Sequence, residues 1–128
     1  MVKALCADVF DVLRDYDRTG EPFDMIILDP PAFTKSRATV KNAMKGYREI
    51  NIRGLKLVKD GGYLATCSCS HFMDYENFTR VIRQAAQSAH KRLRQVEYRT
   101  QAADHPILWA ADESYYLKFY IFQVCDEK

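Results

Sequence analysis

Short apolar runs alternate with amphipathic stretches along this chain of 128 residues, and this alternation limits its fold more than any other feature. The run Phe23–Leu28 is almost continuously apolar and stops at Asp29-Pro30-Pro31, which is typical of a buried central strand. Apolar residues with a helical period follow from Val40 to Val58, and we expect Asp60-Gly61-Gly62 to end that helix. Strands that alternate with helices in this way predict an α/β fold with a parallel sheet.

The same patterns predict the remaining elements. Asp74 is placed to cap a helix, because a carboxylate there can accept bonds from the free amides of the first helical turn. A long loop that contains His105 and Pro106 separates the last two predicted strands. The further strands are expected at Val2–Ala7, Tyr63–Ser70, Arg94–Thr100 and Tyr115–Val124, and the further helices at Val9–Tyr16 and Tyr75–Ala89.

Length and composition fit one compact domain over residues 1–128, since 48% of the residues are hydrophobic and 28% are charged. Lys3 and Asp8 interrupt the apolar residues at the N-terminus, so no signal peptide is predicted. No apolar run approaches the roughly 20 residues of a membrane helix. We therefore expect a cytoplasmic protein, without a membrane partner, whose four cysteines are reduced.

Charge is unevenly distributed, although the formal net charge is only +2. Residues 1–34 contain seven acidic and three basic side chains. Residues 35–59, which we call the basic segment, contain eight basic side chains and one acidic one. Such a concentration suits an anionic polymer such as RNA, with Lys41, Lys45 and Arg48 as candidate phosphate contacts. A solvated helix face is the alternative interpretation.

Asp29-Pro30-Pro31-Ala32-Phe33 follows the predicted central strand directly, at the sheet edge where α/β proteins bind ligands. The two prolines lack N–H donors and hold the backbone extended, so the carbonyls of Asp29 and Pro30 are free to accept. Together with the Asp29 carboxylate they can accept both hydrogens of an exocyclic amino group on a base. Phe33 can then stack on that base. A rigid turn with a solvated aspartate is the structural alternative.

Thr66-Cys67-Ser68-Cys69-Ser70-His71 lies at the end of the next predicted strand. If the strand ran straight through, Cys67, Cys69 and His71 would share one face. Three interpretations are open: a metal site, buried structural thiols, and a nucleophilic thiolate. We favour a structural role for Cys67 and a nucleophilic one for Cys69, which lies nearer the ligand edge.

These stretches together resemble the large-subunit ribosomal RNA cytosine-5 methyltransferases, a class I family that depends on S-adenosylmethionine. The resemblance covers nearly the whole chain in the family's order. It rests on Phe23–Phe33, Gly46-Tyr47-Arg48-Glu49-Ile50-Asn51, Gly61-Gly62, Thr66-Cys67-Ser68-Cys69-Ser70 and Gln101-Ala102-Ala103-Asp104-His105-Pro106.

The resemblance implies a mechanism and a set of site residues. Cys69 is the expected nucleophile, whose thiolate adds to carbon 6 of cytosine so that carbon 5 becomes reactive. Since a free thiol has a pKa near ~8.5, this cysteine needs a positive neighbour or dipole. Asp29 is expected to hold the ring and share in catalysis. The cofactor site is implied at Asp8, Val9, Asp29 and Pro30, and the base site at Pro30, Pro31 and Phe33. For Asp8, helix capping is a compatible second role.

The chain departs from the family in lacking the glycine-rich loop that normally binds the cofactor, because none of its five glycines forms that pattern. It is expected to be the C-terminal part of a catalytic domain, with the third to seventh strands of a Rossmann-like sheet and an antiparallel last strand. We expect no useful affinity for S-adenosylmethionine in the chain alone. An amino-group methyltransferase and a non-catalytic RNA-binding remnant are the alternative functions.

Loss of the first two strands also leaves an apolar edge on Phe23–Leu28. We expect Val2–Ala7 to move beside that strand and cover the edge. We expect self-association through the same side of the sheet as well.

Overall fold

A computed structural model describes residues 2–33, 40–111 and 114–127. Within these residues three helices and four strands follow one another along the chain. They are α1 (Val9–Thr19), β1 (Phe23–Leu28), α2 (Val40–Leu57), β2 (Val58–Ser68), α3 (Tyr75–Ser88), β3 (Lys91–Arg99) and β4 (Lys118–Asp126).

The four strands form one mixed sheet in the order β1-β2-β4-β3. β1 and β2 are parallel, and β4 runs antiparallel to both of its neighbours. This is the fourth-to-seventh-strand part of the sheet that the sequence predicted, with an antiparallel last strand. The register places Leu28 beside Thr66 and Ser68 beside Lys118, so the end of β1, the end of β2 and the beginning of β4 meet at one edge.

The helices cover one face of this sheet. α2 packs between α1 and α3, and Leu13 of α1 shares a core with Leu28 of β1. A buried bridge joins α2 to β2, because Asn51 donates to the Tyr47 carbonyl at 2.7 Å and accepts from the Thr66 hydroxyl at 2.8 Å. α2 is therefore joined to β2 by hydrogen bonds as well as by apolar packing.

The helix predictions are largely confirmed. Asp8 caps α1, and Asp74 caps α3 by accepting from the amide of Asn77 at 2.7 Å. α1 continues to Thr19, three residues beyond the predicted Tyr16, and ends at Gly20 with φ +72°.

Strand boundaries differ from the prediction at the glycine pair. β2 begins at Val58, directly after α2, so Asp60-Gly61-Gly62 lies inside the strand instead of ending the helix. Gly61 has φ +83°, and a Cβ on Gly62 would lie 2.7 Å from the Asp24 carbonyl. The glycines thus allow an irregular, close pairing with β1, where the register shifts between Phe23 and Met25.

The predicted strand at Val2–Ala7 is wrong. This segment pairs with no strand, and all of its residues are exposed, with Val2 95% and Leu5 70% accessible. A segment that buries no apolar surface gains nothing to offset the entropy lost on ordering. The expected pairing of Val2–Ala7 with Phe23–Leu28 is therefore wrong too, and within the described ranges the outer edge of β1 has no partner strand.

Candidate active site

An open cleft of about 480 Å³ lies between the start of α1 and the loop that follows β1. Most of the residues predicted for cofactor and base meet there. Its lining includes Asp8, Val9, Asp29, Pro30, Pro31 and Phe33.

Asp8 has a defined structural role in this cleft. Its Oδ1 atom accepts from the backbone amides of Phe10 at 2.9 Å and Asp11 at 3.3 Å, which caps α1. The carboxylate is exposed and lines the cleft. Capping therefore fixes the direction of Asp8 and leaves it facing the space where a ligand could lie.

Phe33 forms the wall of the cleft nearest α2. Its ring meets the Tyr47 ring edge-on, with centroids 4.6 Å apart at 80°. A Cβ on Gly46 would lie 3.3 Å from the same ring, so the glycine makes room for it. Phe33 is thus half-buried and held by α2, which leaves one side of the ring for a ligand.

Cys67 is tied to Asp29. The thiol donates to Asp29 Oδ1 at 3.2 Å and lies 3.6 Å from the Leu28 carbonyl. Burial, and then the contact with the Asp29 carboxylate, raises the pKa of Cys67 to about 12. Cys67 therefore stays a neutral thiol at physiological pH and orients the carboxylate, which agrees with the structural role predicted for it.

Cys69 lies just beyond the end of β2 in a different environment. Its side chain is exposed, whereas the serines on either side are buried. Ser68 donates to the Tyr47 hydroxyl at 3.1 Å, and the Ser70 amide donates to Ser68 Oγ at 3.4 Å. The two serines anchor this turn while the thiol between them faces solvent.

The strand ends at Ser68, so Cys67, Cys69 and His71 do not continue along one strand face. His71 lies in the following turn, with its ring 4.1 Å from that of Phe72. In the part of the chain that the structure describes, no group of three histidine, cysteine or acidic residues could hold a metal ion. All four cysteines are free, as the sequence predicted.

Lys118 was not found by sequence reasoning. It begins β4 opposite Ser68 and is buried, with 1% of its surface accessible. Its Nζ atom donates to the carbonyls of Ser70 at 2.5 Å and Tyr116 at 2.7 Å. Burial lowers the pKa of Lys118 to about 8, against the opposite effect of Cys69 and Asp74 nearby. The sequence signal was weak, since one lysine at a strand start is usually solvated.

His105 lies away from both cysteines, in the loop between β3 and β4. Its amide donates to the Ala102 carbonyl at 2.9 Å, and its ring meets the Tyr116 ring edge-on at 6.2 Å. These contacts fit a histidine that orders the loop.

The described part of the basic segment is mostly the outer face of α2. Lys41 and Lys45 are exposed and Arg48 is half-buried, and their spacing puts all three on one side of the helix. Arg53 is paired with Glu49 at 2.6 Å and Lys59 with Asp24 at 2.6 Å. Lys35 and Arg37 lie outside the described residues. Lys41, Lys45 and Arg48 do not line the cleft.

None of the helices in the described ranges has the length and apolar character needed to cross a lipid bilayer.

Sequence comparison finds relatives over almost the whole chain. The chain is 42% identical over 94% of its length to ribosomal RNA large subunit methyltransferase I of Alteromonas mediterranea. It is 44% identical over 94% of its length to the protein of that name from Vibrio parahaemolyticus. It spans about 30% of the length of each of these curated relatives. No family model matches the chain.

Solved structures show the same fold. A candidate SAM-dependent methyltransferase from Streptococcus mutans superimposes with a TM-score of 0.75 at 22% identity, over 91% of this chain and 29% of that one. The M1.HpyAVI–SAM complex superimposes with a TM-score of 0.59 at 19% identity, over all of this chain and 55% of that one. The chain thus has part of the Rossmann-like class I methyltransferase fold, and its sequence homologues are named ribosomal RNA large subunit methyltransferase I.

Proposed function

We propose that this chain is the part of an S-adenosylmethionine-dependent enzyme that methylates carbon 5 of cytosine in ribosomal RNA. The names of its sequence homologues support RNA methylation, and the fold of its structural neighbours supports the same chemistry. The observation that carries the choice of carbon 5 is the exposed thiol of Cys69 just beyond the end of β2, two residues after the cysteine that bonds to Asp29.

The two cysteines differ in exposure, and this difference favours methylation of carbon 5. Carbon 5 of cytosine is a poor nucleophile until a thiolate has added to carbon 6. Cys69 is accessible for that addition, whereas Cys67 is buried and holds its proton. Methylation of an exocyclic amino group needs no thiol, so an exposed cysteine between two anchored serines would have no purpose there.

Asp29 is proposed to hold the base. Its carboxylate accepts from the Cys67 thiol through one oxygen and can accept from the amino group of cytosine as well. After the methyl group is in place, a base removes the carbon-5 proton, the double bond between carbons 5 and 6 forms again, and the bond from carbon 6 to Cys69 breaks to release the thiolate. The target base must be unpaired or flipped out to reach this edge.

The cofactor would lie in the cleft between Asp8 and Asp29. Its volume of about 480 Å³ falls within the usual range for small-molecule sites, and it presents the Asp8 carboxylate, Val9, Pro30 and the Phe33 ring. These residues fit one end of S-adenosylmethionine, which supplies the methyl group when bound. They do not surround a ligand of that size on every side.

Methyl transfer by Cys69 and Cys67 variants tests the proposal. The chain replaces the matching segment of the intact Vibrio parahaemolyticus relative, and transfer to ribosomal RNA is measured together with the identity of the methylated nucleoside. We expect the parent chimera to form 5-methylcytidine. We expect Cys69→Ala to lose this activity and Cys67→Ala to keep most of it, because only the exposed thiol can add to the ring.

Full activity of Cys69→Ala would refute the nucleophile role. A methylated amino group as the product would instead identify an amino-group methyltransferase. RNA binding without transfer by the parent chimera would favour a non-catalytic remnant.

A further inference from the structure

Lys118 is the only charged side chain that is buried among the described residues. Burying an ammonium group costs free energy, and an apolar residue at the same place in a strand would avoid that cost. The lysine recovers part of it through two hydrogen bonds to backbone carbonyls. A charge kept at such cost points to a role beyond packing.

The two carbonyls belong to two different loops, and the candidate nucleophile lies in one of them. Ser70 directly follows Cys69, and Tyr116 belongs to the loop between β3 and β4. Ser68, on the other side of Cys69, is the pairing partner of Lys118 in the sheet. Lys118 therefore fixes both ends of the three-residue turn that presents the thiol.

Cys69 interacts electrostatically with ionisable groups on three elements. These groups are Lys118 at the start of β4, Tyr47 of α2 and Cys67 near the end of β2. Tyr47 and Cys67 are neutral at physiological pH, since burial raises the pKa of each. Asp74 lies near Lys118, but its carboxylate is already engaged with the amide of Asn77. The ammonium is thus the positive charge that this environment offers to a thiolate.

We propose that Lys118 is a positioning residue for Cys69, which holds the carbonyl of the next residue and adds a positive charge to the surroundings of the thiol. The proposal deepens the proposed function and rests on it, because it assigns a purpose to a reactive Cys69. The ammonium is enclosed, so it acts on the thiolate and does not itself reach RNA.

Alkylation of the full 128-residue chain by iodoacetamide tests this without RNA or cofactor, with each cysteine followed by peptide mass spectrometry. Lys118→Met removes the charge and both hydrogen bonds, and Lys118→Gln keeps a donor without the charge. We expect both to slow alkylation of Cys69 by roughly tenfold near neutral pH, since the thiolate is the reacting species. We expect the rates of parent and variants to converge well above the Lys118 pKa of about 8, because the lysine of the parent is then uncharged as well.

Two controls distinguish a change in Cys69 reactivity from a general change in cysteine reactivity or in net charge. Cys6 is exposed in the segment before α1 and has no bond to Lys118 in the described residues, so its rate should be the same in every variant. Lys91→Met removes a lysine from β3 that pairs with Asp126, and it should leave Cys69 unchanged. Far-UV circular dichroism confirms that each variant is folded.

A Lys118→Gln chain whose Cys69 reacts as fast as the parent would overturn the proposal, as would equal rates in parent and Lys118→Met. The outcome is independent of methyl transfer. Slower Cys69 alkylation beside an inactive parent chimera refutes only the proposed function. Equal alkylation rates beside an active chimera that depends on Cys69 refute only the role of Lys118.

Discussion

Cys67 and Cys69 are two residues apart and have opposite surroundings because β2 ends between them. Inside the strand, Cys67 is enclosed and bonded to Asp29, whereas beyond it Cys69 is exposed. Strand alternation alone would have put both on the same face. The sequence therefore identified the residue pair, but the end of the strand decides which thiol is accessible.

The lowered pKa of Lys118 predicts how the free energy of unfolding depends on pH. Its pKa is about 8 in the folded chain, below the usual 10.5, so between these values the unfolded state binds more protons than the folded state. Stability therefore rises with pH in this window. Measured against Lys118→Met, the free energy of unfolding of the parent should increase by about 2 kcal/mol from pH ~7 to ~9.5.

Urea unfolding of both proteins at the two pH values measures the change. Both proteins carry Cys69→Ala, so that the thiol on which Lys118 is proposed to act does not contribute, and the remaining ionisable groups are common to both chains. A constant difference between parent and variant would mean that Lys118 is not charged and buried as described.

At the scale of elements, the sequence predicted β1 and the start of α2 well, because β1 is a continuous apolar run that stops at Asp29 and α2 has a clear helical period from Val40. It failed at Asp60-Gly61-Gly62, where glycines that usually end helices instead allow β2 to approach Asp24 closely. It also missed that β4 begins at Lys118, since the burial of a lysine depends on the partner strand and on carbonyls distant in sequence. Such tertiary contacts leave no local pattern.

The outer face of α2 is expected to bind RNA through phosphates. Lys41, Lys45 and Arg48 form no ion pair with any residue in the described ranges, unlike Arg53 and Lys59. Changing all three to Glu should weaken binding to single-stranded RNA of any sequence. It should also lower the slope of log affinity against log salt by about 2, because roughly 0.7 counterions are released per phosphate contact.

Fluorescence anisotropy with a labelled oligonucleotide measures both effects over a salt series. The control changes three exposed arginines on α3 and β3 to Glu, which alters the net charge by the same amount. They are Arg80, Arg83 and Arg92. Equal loss of affinity in the two triple variants would show that only total charge matters. Unchanged binding in the first would leave the basic segment as a solvated helix face.

At the scale of the whole molecule, the order of the four strands was predictable from the sequence. Whether another segment would pair with the outer edge of β1 was not. The pattern of β1 indicated a central strand, and Met25 and Ile27 are apolar on the face away from the helices. These two side chains are 47% and 66% exposed. Whether another segment covers an edge depends on what that segment can bury, and Val2–Ala7 buries too little.

The unpaired edge of β1 and its exposed side chains predict self-association of the chain, since open apolar strands recruit partners. Sedimentation velocity should show a dimer or larger species that dissociates on dilution. Ile27→Lys places a charge on the β1 edge strand and should shift the chain to monomer. Val96→Lys is the matched control, because Val96 is 52% exposed on β3, the strand at the opposite edge of the sheet. A parent chain that stays monomeric at high concentration, or equal dissociation by the two variants, would contradict association through β1.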